Sequence, residues 1–148
     1  MRAEIRELFH SLASGRSAPE SVDLFCEEFL SLDPISASVV DRAQLAAALP
    51  ARARMFASIQ ADGMALVDLD EDPIDDRHTW VRTAWQVRFR DGAADPLSVR
   101  ASYLLRLDGG QWRIAVYLNH ADIAALVRER AAGGGRQPGP APRHVTEP

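Results

Sequence analysis

The stretch RLDGGQWRIAVYLNH, Arg106–His120, has the pattern of one strand end, a tight turn and a second strand. Apolar and polar side chains alternate on both sides of Gly109 and Gly110, as they do in a strand with one buried face. Adjacent glycines supply the positive φ angles that a two-residue hairpin turn requires. The stretch therefore predicts a β-hairpin with one apolar side, which is covered either by more protein or by a small molecule.

The same alternation predicts strands at 64–71, 78–89 and 97–108 before the last strand at 111–119. One parity of the last three strands is apolar, and we expect it to face inward. Its members are Val81, Trp85, Val87, Phe89, Val99, Ala101, Tyr103, Leu105, Leu107, Trp112, Ile114, Val116 and Leu118. The opposite parity is rich in arginine and predicts an outer face that contains Arg82, Arg88, Arg90, Arg100, Arg106 and Arg113, together with Trp80 and Tyr117.

Helical spacing precedes the strands. Apolar residues spaced at i, i+3, i+4 and i+7 predict a first helix over Ile5–Leu12 and a second that begins near Ser17 and includes Val22, Phe25, Cys26, Phe29 and Leu30. A short strand at 35–40 leads to Asp41, the expected N-cap of a third helix over 42–59. Pro50 predicts a kink or a break in that helix. A short helix over 120–130 closes the fold.

Composition places limits on the class of protein. The chain has 148 residues, a net charge of −4 and one cysteine. The length suits a single domain, expected over 1–132, and the Gly/Pro-rich segment 133–148 is predicted to be a disordered tail. The charge disfavours nucleic acid, and no apolar run predicts a membrane span or a signal peptide. A cytoplasmic protein without a cofactor is the expectation, since no phosphate loop or paired-cysteine motif occurs.

Helices followed by strands, with the segment Asp108–Ile114 (DGGQWRI) in the last hairpin, resemble the nuclear transport factor 2-like superfamily. This superfamily includes polyketide cyclases of the SnoaL-like type and ketosteroid isomerases. The resemblance covers most of 1–130 and implies an α+β, cone-shaped fold, in which a strongly bent antiparallel sheet wraps around the N-terminal helices. It also implies an apolar pocket at the open end of the cone and dimerisation through the outer sheet face. Fold alone does not transfer a function.

Three residues are candidates for catalysis. Tyr103 lies mid-strand among apolar neighbours, where its hydroxyl would either polarise a carbonyl or reach a backbone carbonyl as an ordinary core aromatic. His120, which shares the inward parity of Leu118, and Asp122 would form an acid–base pair at the rim, although Asp122 or Asn119 also suits the N-cap of the last helix. Cys26 is interpreted as an inert thiol in an apolar stripe.

Charged clusters favour surface interpretations. Asp68, Asp70, Glu71 and Asp72 are expected to pair with arginines of the next strand, and no metal site is predicted, because no histidine accompanies them at ligand spacing. The arginine-rich face is interpreted as a homodimer surface. The residues chosen for it are Arg82, Arg88, Arg106 and Tyr117.

Two functions remain open at this point. The first is a non-catalytic binding or dimerisation module with a pocket for a small apolar ligand, lined by Phe25, Phe29, Phe56, Trp85, Tyr103 and Trp112. The alternative is a cofactor-independent isomerase or cyclase that acts on an apolar carbonyl compound through Tyr103 and the His120/Asp122 pair. The two depend on the same question, which is whether the interior of the cone is hollow or filled.

Overall fold

The computed structural model describes residues 2–13, 21–92 and 95–132, without the side chain of Asp91. The expected start of a helix at Ser17 and the tail at 133–148 lie outside these residues. The elements are α1 (Ala3–Ala13), β1 (Phe25–Leu32), β2 (Ala37–Asp41), α2 (Arg42–Ala57), β3 (Ala61–Pro73), β4 (His78–Phe89), β5 (Leu97–Asp108), β6 (Gln111–Asn119) and α3 (Ile123–Ala132). A short 3₁₀ turn, Arg90–Gly92, follows β4. The predicted α+β class is confirmed.

The strands form one six-stranded sheet in the order β2-β1-β6-β5-β4-β3. All neighbours are antiparallel except β1 and β6, which run parallel. The sheet is therefore mixed, whereas the sequence predicted an antiparallel one. The bounds of β4, β5 and β6 are those predicted from the alternation of apolar residues. Gly109 and Gly110 have φ angles of 58° and 79° in the turn between β5 and β6.

The predicted second helix is wrong from Phe25 onward, because 25–32 is strand β1. Phe25 and Phe29 are four residues apart, and this even spacing places two side chains on one face of a strand as well as of a helix. Both rings are buried in the interior, and their centroids are 4.6 Å apart. The pairing of β1 with β6 is irregular between Phe25 and Leu30. The four-residue spacing therefore did not distinguish a strand from a helix.

Strand β6 also contains a bulge, and it reverses half of the predicted faces. Leu105 pairs with Ile114, whereas Leu104 pairs with Val116, so Ala115 is the extra residue. Beyond it Tyr117 pairs with the inward-facing Tyr103. Since an added residue shifts every later side chain to the other face, Val116 and Leu118 face outward. The predicted inward orientation of Val116 and Leu118, and the outward one of Tyr117, are wrong.

One end of the sheet interior is packed by α1. Ile5 and Phe9 of this helix are fully buried, as are Val81, Leu105 and Ile114 of the sheet. The Phe9 ring meets Tyr103 edge-on, with centroids 4.9 Å apart. We call this region the filled end, because side chains of the helix occupy the space against the sheet.

Helix α2 covers the other end. Asp41 is its N-cap, as predicted: the carboxylate accepts a hydrogen bond from Gln44 N–H at 2.8 Å, and the Gln44 side chain accepts one from Asp41 N–H at 2.9 Å. This reciprocal pair is a capping box. The Arg42 guanidinium fixes the helix start by donating to the Phe25 carbonyl at 2.8 and 3.0 Å.

Of the kink or break predicted at Pro50, the break does not occur, since α2 is continuous through this residue. Proline removes one N–H, and therefore leaves the carbonyl four residues earlier, that of Ala46, without its helical partner. Ala46 and Pro50 are both exposed. The Ala46 carbonyl can bond to water there, which lowers the cost of the missing hydrogen bond. Within the described parts of the chain, no helix has the length and hydropathy of a membrane span.

Candidate functional site

A cavity of about 380 Å³ lies between α2 and the inner face of the sheet. Its wall is mostly apolar and includes side chains from β1, α2, β4 and β5. Of the predicted pocket residues, the structure places Phe25, Phe29, Phe56, Trp85 and Tyr103 on this wall. The sheet provides one side of the cavity and the helix provides the opposite side. The volume falls in the range of small-molecule sites.

Helix α2 shows that the interior is hollow here. None of its 16 residues is fully buried. Leu45, Leu49 and Phe56 point at the cavity and remain half-buried. A helix packed on a filled core buries its apolar stripe. The stripe of α2 faces unfilled space instead, so this helix forms a roof over the cavity.

Trp112 lies outside the cavity, although the sequence predicted it as a lining residue. It is half-buried, and the guanidinium of Arg2 is 4.8 Å from its ring centroid. It pairs with Leu107 on β5, on the turn side of the buried Leu105–Ile114 pair. The prediction used the correct face of β6, but Trp112 is too far along the strand from the cavity.

Tyr103 stands between the two ends of the interior. It is 5% exposed and lines the cavity. Burial raises the pKa of its phenol well above the ordinary value, and the neighbouring Tyr117 adds to the rise, while Arg52 and hydrogen bonds with Thr83 and Trp85 oppose it. The phenol is therefore protonated at neutral pH and can act as a hydrogen-bond donor.

A polar cluster lies beside Tyr103 on the cavity wall: Arg52, Tyr117 and Asn119, which we call the donor cluster. The Tyr103 and Tyr117 rings are 5.3 Å apart. The Asn119 amide donates to the Tyr117 hydroxyl oxygen at 2.7 Å. Tyr117 raises the pKa of Arg52 and hydrogen-bonds with it, while burial opposes the rise. The cluster therefore places a guanidinium and a phenol together on an apolar wall.

The sequence analysis missed Arg52 and assigned Tyr117 to the wrong face. A signal for Arg52 was present, since it lies seven residues after Leu45 and four before Phe56, within the apolar stripe of α2. A charged residue in such a stripe points at the interior of the protein. No comparable signal identified Tyr117, because the bulge at Ala115 left no mark in the alternation of β6.

The predicted pair of His120 and Asp122 has separate structural roles. His120 Nε2 is 2.7 Å from the Ser102 hydroxyl, on the outer side of the sheet. The inward orientation predicted for His120 is therefore wrong, for the same reason as that of Leu118. The Asp122 carboxylate accepts a hydrogen bond from Ala125 N–H at 3.1 Å and so caps the first turn of α3.

The acidic run of β3 is divided between the two faces. Asp70 and Asp72 lie outward, and their carboxylates are 3.3 and 4.0 Å from the Arg82 guanidinium. Glu71 points inward and accepts hydrogen bonds from the Arg2 backbone and the Thr79 hydroxyl, both at 3.1 Å. Across the described ranges, no three His, Cys, Asp or Glu residues are grouped as metal ligands.

Cys26 is half-buried, and burial raises its thiol pKa, with the nearby Asp108 adding to the rise. A raised pKa keeps the thiol protonated, which disfavours a nucleophilic role.

The outer face of the sheet carries one row of apolar side chains. Paired positions run across five strands and form what we call the outer row: Trp80, Leu104, Val116, Leu30 and Val39. One of its members depends on an irregular strand, since the bulge at Ala115 turns Val116 outward. Val39 is 67% exposed. Polar rows flank it, with Arg82 on one side and Arg106 on the other.

Comparison with known proteins supports the fold. A nuclear transport factor 2-like protein of unknown function from Shewanella oneidensis MR-1 has a TM-score of 0.64 at 10% identity, over 79% of this chain and 96% of that chain. A protein of the same fold from Novosphingobium aromaticivorans has a TM-score of 0.64 at 20% identity, over 86% of each chain. For a ketosteroid isomerase-like protein from Erwinia carotovora atroseptica the TM-score is 0.60 at 17% identity, over 80% and 90%.

No family model and no curated protein matches the sequence. The likeness to solved structures confirms the predicted resemblance at the level of the nuclear transport factor 2-like fold.

Proposed function

We propose that this chain, which has the nuclear transport factor 2-like fold, binds a small, largely apolar molecule in the cavity beneath α2. The observation that carries the proposal is the half-buried apolar stripe of α2 above about 380 Å³ of unfilled space. A ligand with apolar surface would complete the burial of that stripe, and each square ångström removed from water contributes about 25 cal/mol.

A binding role is favoured over catalysis by the side chains on the wall. The described lining residues provide an arginine, two phenols, amides and hydroxyls, and none of them is Asp, Glu or His. Proton abstraction next to a carbonyl needs a base within hydrogen-bonding reach. Tyr103 retains its proton at neutral pH and is suited to donating a hydrogen bond rather than accepting a proton. These features support a binding protein without a reaction of its own.

The test introduces a large side chain into the cavity from helix α2. Ala48 and Ala47 are both exposed neighbours on α2, but only Ala48 is among the described residues that line the cavity. We expect 1-octanol to bind the wild type in isothermal titration calorimetry and to quench the emission of Trp85. Ala48→Phe should weaken binding at least tenfold, and the matched control Ala47→Phe should leave it unchanged. Equal affinity of the two variants would contradict the proposed site.

We propose in addition that a second copy of this chain covers the outer row. Apolar residues at the centre with arginines around them are typical of protein interfaces. The same face carries the acidic side chains of β3 beside the arginines of β4, so a two-fold axis can bring opposite charges together. Arg82 and Arg106 flank the row, whereas Arg88 lies eight residues after Trp80 along β4 and outside it. Tyr117 faces the cavity and is no longer part of this surface.

Sedimentation tests this dimer. The double variant Val39→Asp/Leu104→Asp should sediment as a monomer with an unchanged circular dichroism spectrum, because four buried charges cannot be desolvated at a two-fold contact. Val67→Asp is the control, since Val67 is 52% exposed on β3 and outside the row. A wild type that remains monomeric at 100 µM would overturn the proposal (concentrations of this order populate ordinary dimers).

A further inference from the structure

Arg52 is placed where a helix normally has an apolar residue. On the cavity side of α2 it follows Leu45 and Leu49 and precedes Phe56, and its guanidinium lies 5.8 Å from the Phe56 ring centroid. No other arginine is among the described lining residues, and none of them is acidic. The cavity therefore has a positive charge on an otherwise uncharged wall.

The guanidinium has no anionic partner among the residues that the structure describes. The ion pairs found there involve the basic residues Arg2, Arg42, His78 and Arg82. A charge that is partly removed from water without a counter-charge costs free energy. The protein tolerates this cost at Arg52, in the same cavity that is proposed to hold a ligand.

The neighbours of Arg52 are arranged as donors. Tyr117 accepts a hydrogen bond on its oxygen from the Asn119 amide, and it lies close enough to Arg52 to raise the pKa of that guanidinium. Both neighbours are donors, so they face the lone pairs of the phenol oxygen rather than its proton. The Tyr117 hydroxyl proton is then left for an acceptor in the cavity. A guanidinium beside a phenol O–H suits a ligand group that has only hydrogen-bond acceptors, such as a carboxylate.

We infer that the ligand is an apolar monocarboxylate, whose carboxylate is bound by Arg52 and Tyr117 while its hydrocarbon part lies against the aromatic wall. This inference rests on the proposed function, because it names the class of ligand for the same cavity. The planar guanidinium can form two parallel hydrogen bonds to a carboxylate, which adds orientation to affinity. Aliphatic and aromatic carboxylates share this chemistry, and the experiment includes one of each.

Ligands that differ only in the head group give the test. Octanoate, 1-octanol and octylammonium are titrated into the wild-type chain at pH 7.4 by calorimetry, and 2-naphthoate is compared with 2-naphthalenemethanol. Without a cationic partner, octanoate should bind more weakly than octanol, because its carboxylate loses more hydration. With Arg52 engaged, we expect octanoate to bind at least tenfold more tightly than octanol, a difference of about 1.4 kcal/mol. Octylammonium should bind most weakly.

Substitutions assign the preference to one residue. Arg52→Gln should reverse the order of octanoate and octanol, and Arg52→Lys should retain part of the preference through its charge. Arg54→Gln is the matched control, since Arg54 is exposed on the same helix and outside the described lining. If Arg52→Gln fails to fold, the comparison of octanoate with octylammonium on the wild type still decides the sign of the charge effect.

The outcomes separate the two proposals. Equal binding of octanoate and octanol would overturn the carboxylate inference and leave the apolar cavity standing as a ligand site. A carboxylate preference that survives Arg52→Gln would also overturn it. If neither the aliphatic nor the aromatic probes bind, the proposed function falls as well. Stronger binding of 2-naphthoate than of octanoate would support the inference and favour an aromatic ligand.

Discussion

The filled end of the interior and the cavity end are built on the same strands, yet only one of them is packed with side chains. At the filled end, Ile5 and Phe9 of α1 reach the sheet, and Leu105 opposite them is 0% exposed. At the cavity end, α2 contributes no fully buried residue. The inward positions of β4 and β5 are apolar except for Thr79 and Thr83. The contrast shows that the covering helix, more than the sheet, decides where the fold is hollow.

Matched leucine truncations should give the largest difference between the two ends. Leu105→Ala at the filled end is expected to lower the free energy of unfolding by about 3 kcal/mol, since it leaves an unfilled space in close packing. Leu45→Ala in the roof is expected to cost less than about 1 kcal/mol, because that side chain already faces open space. Urea denaturation of both variants measures the two values. Similar losses at the two positions would contradict the hollow interior.

The second prediction concerns Tyr103, which packs on Phe9 of the filled end and on Tyr117 of the cavity end. Burial raises its pKa in the folded state above the unfolded value of about 10, so folding favours the protonated phenol. The resulting stabilisation is present below pH 10 and is lost as the pH rises above it. The free energy of unfolding should fall by up to about 1.4 kcal/mol per pH unit there.

Urea midpoints at pH 9 and pH 11 test this dependence. The sequence contains no lysine and one cysteine, so few other side chains titrate in this interval. Tyr103→Phe should show a smaller fall between the two pH values than the wild type. If both chains lose the same stability, the phenol is not the buried group that the structure describes.

The smallest expected effect concerns how the roof is attached. Asp41 caps α2 and exchanges two hydrogen bonds with Gln44. Asp41→Ala should lower the free energy of unfolding by about 1 kcal/mol. Because α2 touches the filled end little, we expect hydrogen exchange to accelerate in α2 while the amides of β4 and β5 keep their protection. Equal acceleration in all three elements would show that roof and sheet open together.

The sequence predicted the regular strands better than the irregular ones. The bounds of β4, β5 and β6 follow from alternation alone, because regular strands exposed on one face preserve a two-residue period. Strand β1 was mistaken for a helix, since Phe25 and Phe29 are four residues apart and share one face in either element. The bulge in β6 shifts the alternation of its side chains by one residue. No glycine or proline marks this position in the sequence, since the extra residue is Ala115. The alternation within β6 does not reveal it, because the pairing of β6 with β5 determines it.

The sequence predicted the candidate site only in part, because its residues come from both regular and irregular strands. Its aromatic wall follows from parity in β4 and β5, and Trp85 and Tyr103 lie where alternation places them. The donor cluster does not follow, because Tyr117 and Asn119 reach the cavity only through the bulge in β6. Arg52 could have been recognised as an exception within the stripe of α2. Whether the interior is hollow depends on the distance between helix and sheet, which no sequence pattern records.

The extra residue at Ala115 has an evolutionary consequence. Leu104 already pairs with Val116, so removing that one codon would make the pairing of β5 with β6 regular and leave Tyr117 and Asn119 facing inward. The chamber would keep its phenol and amide, and the outer row would keep Val116. A lineage with this architecture can therefore gain or lose a single codon at this point without changing which side chains face its binding chamber.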